Sequence, residues 1–108
     1  MTRGDIVVVA ARGVYTGKPR PAVVVQSDLF SSTHESITLC LISSSPIDTP
    51  MFRVSLPPGE RTGLLAASQV MVDKVVTVPR AAIVRHIGTC DSVYLLAIDD
   101  ALRGWLSL

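Results

Sequence analysis

Lys18-Pro19-Arg20-Pro21-Ala22-Val23-Val24-Val25-Gln26-Ser27-Asp28 holds one of the chain's two runs of three valines. Three consecutive β-branched side chains are stiff at χ1 and suit a pleated surface, so Pro21–Gln26 reads as a strand. A proline cannot donate to a sheet ladder, which confines Pro21 to a strand start or an edge. Arg20 stands where a loop becomes that strand. Taken alone, it reads as a surface charge ahead of an edge strand.

Toward the N-terminus, Ile6–Ala10 is a second β-branched run, introduced by Gly4-Asp5. Between the two runs, Gly13–Pro19 contains two glycines, a proline, a threonine and a lysine, and reads as a loop. Toward the C-terminus, polar Ser27–Ser36 is a second loop and Ile37–Ser43 a third strand. Ser44–Pro50 is a turn-rich connector. Phe52–Leu56 alternates apolar with polar residues, the pattern of a half-buried strand. Pro57–Gly63 is a loop. Leu64–Ala67 and Val70–Val78 continue the sheet, the second interrupted by Asp73-Lys74, and Ala82–Ile87 is one more short strand ending at Gly88.

After Gly88 the period changes. Tyr94, Leu95, Ile98, Ala101, Leu102 and Trp105 recur at three- and four-residue spacing and form one apolar face, with Asp99, Asp100 and Arg103 opposite. The spacing predicts a helix over roughly 90–103, with Thr89 as its cap and Asp91 in its first turn. Several short strands followed by one helix give a mainly β fold, a β-barrel with a C-terminal helix. The expected form is an SH3-like bent antiparallel barrel, a single domain over residues 1–108.

Composition narrows the function classes. Of 108 residues, 48% are hydrophobic and only 18% charged. That is apolar for a small domain with much surface for its volume, and a homodimer interface would hide the excess. The longest apolar runs, Ile6–Ala11 and Val93–Ile98, are far shorter than the roughly 20 residues that span a bilayer. No membrane partner and no signal peptide are expected, and the default compartment is the cytoplasm. Cys40 and Cys90 lie far apart without a CxxC, and read as reduced core thiols. The net charge is +1. Residues 1–20, however, hold Arg3, Arg12, Lys18 and Arg20 against Asp5 alone, so a polyanion would meet the chain near the N-terminal loop.

The usual catalytic sets are missing from the sequence. His34 and His86 are isolated and read as solvated or structural side chains, no zinc spacing is present, and there is no phosphate-binding glycine motif. No metal and no cofactor are expected. What remains is arginine, hydroxyls and backbone amides, which suffice for one reaction class. RNA carries its own nucleophile, the 2′-hydroxyl, beside the phosphate it attacks. The protein then has to hold the backbone in line and stabilise charge on the phosphoryl oxygens, work for which the arginine fork is suited.

The segment Lys18–Asp28 resembles the second strand of MazF-type toxins, whose signature is Arg-Pro, a small residue and a valine-rich run. Arg3-Gly4-Asp5 followed by Ile6-Val7-Val8-Val9 resembles the opening strand of that family. Gly59-Glu60-Arg61-Thr62-Gly63, Leu64-Leu65-Ala66 and Gln69-Val70 are similar to its later segment, and the helix falls where the family has one. The resemblance covers nearly the whole chain in one register. It implies a CcdB/MazF-type barrel and a homodimer. The implied activity is that of a type II toxin, an endoribonuclease on single-stranded RNA leaving a 2′,3′-cyclic phosphate and a 5′-hydroxyl. It also implies a cognate MazE-like antitoxin whose acidic segment covers the RNA groove.

Carried over residue by residue, the resemblance makes Arg20 the main catalytic residue and places Ser43 where the family has a threonine at the end of its third strand. Serine keeps the hydroxyl but lacks the β-branch that restricts χ1; Ser44 or Ser45 serves if the register slips. The loop Gly13–Pro19 is shorter than the family's and lacks its acid, so the RNA sequence cut does not carry over. Tyr15 is a candidate for stacking on a base and Lys18 for contacting phosphate, while Gln69 and Asp73 are candidates for lining the site or the dimer contact. Two rivals stand beside this reading. One is a CcdB-like gyrase poison acting by binding through the C-terminal region, where Trp105 lies. The other is an inactive interaction domain of the same fold.

Overall fold

The computed structural model describes residues 1–10 and 18–108. These residues form six strands and one α-helix: β1 (Asp5–Val9), β2 (Arg20–Val24), β3 (Ser36–Ser43), β4 (Arg53–Leu56), β5 (Ser68–Pro79), β6 (Ile83–Thr89) and α1 (Ser92–Leu106). The strands make one sheet in the order β4-β5-β3-β2-β1-β6, antiparallel throughout.

Period-two alternation sends successive side chains to opposite faces, and both faces are covered. On one, Ile6, Val23, Cys40, Ile42, Val70 and Val72 pack with Val54 and Leu56 of β4 and with Ile98 of α1. On the other, Val7, Val9, Ala22, Val24, Ile37, Leu39, Leu41, Met71 and Val78 form a second cluster. Burial on both sides explains why β3 reads as an unbroken apolar run from Leu39 to Ile42. Each such side chain contributes roughly 1.5–3 kcal/mol by leaving water.

The sheet bends until its two edges share the α1-side core, since Leu56 of β4 and Ile87 of β6 pack into the same cluster. The Pro57–Ala67 loop joins them. Thr89 N donates to Arg61 O at 2.8 Å, and two glycines make the approach possible. A Cβ on Gly63 would lie 2.0 Å from the Ile87 carbonyl oxygen, and one on Gly88 2.2 Å from the Thr62 backbone. Gly63 also has φ +73, a conformation that side-chain-bearing residues rarely adopt. The barrel is thus closed by a docked loop rather than by a ladder between β4 and β6.

Three local expectations are corrected. Leu64–Ala67 is not a strand, because the loop's backbone bonds to itself, with Gly63 N donating to Gly59 O and Gly59 N to Leu64 O. Leu64 is nonetheless buried while Leu65 is fully exposed. Thr89 does not cap the helix; it is the last residue of β6, opposite Asp5. Asp91 takes the cap position, and its carboxylate accepts from Arg61 Nε at 2.6 Å instead of from a helix N–H. β2 is an interior strand rather than an edge strand, and Pro21 stands at its start, one of the two places open to a proline. It faces Val8 in β1, but pairing with β3 begins only at Ala22↔Leu41, so its missing N–H leaves no gap in that ladder.

Candidate active site

Arg20 is the first residue of β2 and stands opposite Val9. Alternation with Ala22 and Val24 puts it at the rim of the second cluster. Beyond Ala22↔Leu41 the β2–β3 ladder is open, and a small cavity of about 90 Å³ lies there, lined by Arg20, Leu41, Met71 and Lys74. That is space for a few waters or one small anion. The Arg20 Nε is buried and has no hydrogen-bond partner among the described residues. A buried donor left unmet costs on the order of 1–3 kcal/mol, so an anion in the cavity would be bound by a group already waiting for it.

Several other described arginines are occupied. Arg3 donates to Val25 O and to Asp99 Oδ1, Arg61 to Asp91, Arg80 to the carbonyls of Ser31 and His34, and Arg103 to Asp100. Arg53 gives one donor to Gln69, while its Nε, like that of Arg20, is buried without a partner among the described residues.

Ser43 ends β3 opposite Gln69. Continuing the β2–β3 register two residues past Ala22↔Leu41 brings Ser43 level with Arg20, and alternation with Leu41 puts both on one face. Its Oγ accepts from Ser45 N at 3.1 Å, which leaves the hydroxyl hydrogen to donate elsewhere. Ser44 instead lines a separate groove of about 450 Å³ with Pro19, Pro21, Leu65 and Arg85. Of the three serines, Ser43 is the one on the face of Arg20.

The remaining candidates separate. Lys18 is exposed two residues before Arg20, and Tyr15 lies outside the described residues. Gln69 is committed to structure: its Oε1 accepts from Ile47 N and Arg53 Nη1, and its Nε2 donates to Ile47 O, pinning the connector after β3 onto β5. Asp73 places Oδ2 3.7 Å from Lys74 Nζ, and its Oδ1 is buried without a partner among the described residues. The sequence reading passed over Lys74, although a charged pair inside the apolar run Met71–Val76 was the signal for it.

No thiol competes for a catalytic role. Burial pushes Cys40 up to about 12, with Asp73 adding to the rise and Arg3 opposing it. Burial, with Asp91 close by, pushes Cys90 up to about 11. His34 is exposed and stands edge-on to Phe30, while His86 Nε2 lies 3.4 Å from Asp5. The described residues contain no group of three or more His, Cys, Asp or Glu side chains able to hold a metal ion, and no helix among them is long and apolar enough to cross a membrane. Trp105 packs against Phe52, ring centroids 5.7 Å apart, and so continues the apolar stripe of α1.

The fold recurs in known proteins. The chain is 41% identical over 108 residues to a probable endoribonuclease MazF of Mycolicibacterium smegmatis, covering 100% of this chain and 98% of that one. Among solved structures, its fold is similar to a mycobacterial endoribonuclease in complex with its cognate antitoxin (TM-score 0.85, 16% identity, 100% and 96% of the two chains). It is also similar to the Mycobacterium tuberculosis toxin MazF-mt6 (0.82, 19%, 96% and 97%). MazF from Deinococcus radiodurans matches equally well (0.82, 19%, 100% and 97%). Residues 2–106 match the family described as PemK-like, MazF-like toxin of type II toxin-antitoxin system, and the chain belongs to that family.

Proposed function

We propose that this single domain is the toxin of a type II toxin-antitoxin system and an endoribonuclease whose catalytic pair is Arg20 and Ser43. The observation that carries this reading is the Arg20 guanidinium, its Nε buried and unmet among the described residues at a small cavity, with Ser43 level with it in the strand register. The 2′-hydroxyl of a single-stranded RNA attacks the adjacent phosphorus and the bond to the 5′-oxygen breaks. The proton lost by the 2′-oxygen is balanced by the one the leaving 5′-oxygen takes up. Arg20 and Ser43 donate to the phosphoryl oxygens as charge gathers on them. The products are a 2′,3′-cyclic phosphate and a 5′-hydroxyl, and the nucleophile comes from the substrate, so the step asks for no metal.

Lys18 adds an exposed cation beside the site for the RNA backbone, and the small net positive charge of the N-terminal segment steers the polyanion toward it. The enzyme works in the cytoplasm as a homodimer, a state its apolar composition favours. A MazE-like antitoxin with an acidic segment competes with RNA for the same cations. The gyrase-poison alternative is not favoured, since the family match is to MazF-like toxins and Trp105 continues the helix's apolar stripe against Phe52.

The test is cleavage of a long natural RNA by the purified protein in EDTA, with chemical mapping of the ends. Cyclic-phosphate ends are expected. Arg20→Ala should lower kcat by at least a hundredfold or so, the scale of one lost transition-state donor. A wild-type rate in that variant would remove the mechanism.

A further inference from the structure

The β3–β5 pairing contains an irregularity beside the Arg20 cavity. From Cys40 to Ile42, β3 advances two residues while its partner retreats from Val75 to Val70, so β5 carries extra residues in a bulge. The bulge has a consequence for side-chain direction. Met71 and Lys74 are an odd number of positions apart and in a regular strand would face opposite sides of the sheet. Here both line the cavity with Arg20 and Leu41. Beyond the bulge the alternation is reset, Val75 packing with the α1-side core and Val76 with the second cluster. Bulges re-aim side chains and concentrate beside active sites.

We propose that this bulge turns Lys74 into the Arg20 site as an RNA-binding residue that holds a backbone phosphate next to the one being cleaved. The inference rests on the catalytic reading of Arg20 above. Lys74 is suited to the task. Its side chain is 36% exposed, so the ammonium reaches solvent while its stem is partly covered. Asp73 Oδ2, 3.7 Å from Nζ and mostly shielded from solvent, orients the ammonium. An ammonium has three N–H donors, so an ion pair with Asp73 is compatible with a phosphate contact. Asp73 therefore acts through Lys74 rather than by touching RNA, whose phosphates carry its own sign of charge. A lysine here supplies affinity as a point charge, leaving the bidentate, geometry-setting contact to Arg20.

The experiment is steady-state cleavage of a fluorescent single-stranded RNA oligonucleotide bearing one mapped cut site, at several salt concentrations, by the wild type, Lys74→Met, Lys74→Arg and Arg20→Ala. Lys74→Met keeps the stem and removes the charge. It should raise KM about tenfold, change kcat by less than about twofold, and flatten the slope of log KM against log salt by about 0.7, the value for one phosphate contact on a single strand. Lys74→Arg should restore most of the affinity and the slope. Lys74→Gln is read in the same way if the methionine variant melts below the wild type. An unchanged KM and slope in a folded, uncharged variant, with Arg20→Ala inactive, overturns the Lys74 proposal alone. Wild-type cutting by Arg20→Ala instead overturns the catalytic reading on which it rests.

Discussion

The two faces of the sheet treat their arginines in opposite ways. On the α1 side, Arg3 is used up: its Nε donates to Val25 O at 2.9 Å and its Nη2 to Asp99 at 2.5 Å, so that one side chain ties the N-terminus, the end of β2 and the helix together. On the other side, Arg20 begins the same β2 and sits over a cavity, with its Nε buried and unmet among the described residues. Both are arginines beside a valine-rich strand. The first has a carboxylate of the chain's own within reach. The second has no such partner among the described residues. A buried donor left unmet is costly to the folded chain and available to a ligand, which is what the proposed role of Arg20 draws on.

If this contrast is right, substitutions on the two faces should separate stability from activity. The largest stability loss belongs to the seam that closes the barrel on the α1 side. Gly88→Ala forces a Cβ to within 2.2 Å of the Thr62 backbone. The expected cost is at least about 3 kcal/mol, read as a fall in Tm of more than about 12 °C. A melting temperature near the wild type would show that the loop docking is not what holds the edges together.

Next in size is Arg3→Ala, which leaves Asp99 without its partner and Val25 O without its side-chain donor. With both charges about a quarter exposed, the loss should be about 1–3 kcal/mol in chemical denaturation. The kcat of the folded protein should stay within about twofold of the wild type. Arg20→Ala should show the reverse, with stability kept or raised and kcat down by at least about a hundredfold. Equal stability losses in the two variants would erase the distinction. The smallest effect is expected at Ser43. Ser43→Ala should slow cleavage about tenfold or more by removing a donor, while Ser43→Thr should match or modestly exceed the wild-type rate because the β-branch restricts χ1. A slower threonine variant would show that the free rotation of serine suits this site.

Much of this was legible in the residues. Valine runs, the alternation of Phe52–Leu56 and the three-to-four spacing after Gly88 are local patterns, and they located the strands and the helix within a few residues. The Arg-Pro motif singled out Arg20. The misreadings share one cause, since each depended on a partner distant in the chain. Leu64 is apolar and buried yet belongs to a loop, because Gly59 and Gly63 fold that segment onto itself before it docks on β6. β2 lies inside the sheet rather than at its edge, its proline accommodated at the strand start because β3 pairs only from the following residue onward. That the Gln69 amide bonds to Ile47 and Arg53 was likewise invisible in the sequence. Asp73-Lys74 looked like a break in a strand and proved to be part of a bulge that aims a lysine at the cavity.

Strand, turn and helix identity follow from side-chain shape and from periods of two and 3.6 residues, which any short window of the chain contains. The family signature is equally local, and with it came the choice of arginine. Register is different in kind. It is fixed by how β3 and β5 settle against each other and by which loop closes over which edge, and these are sums over contacts between residues far apart in sequence. For that reason the chain could announce Arg20, while its neighbours in space, Leu41, Met71 and Lys74, became visible only once the sheet was assembled.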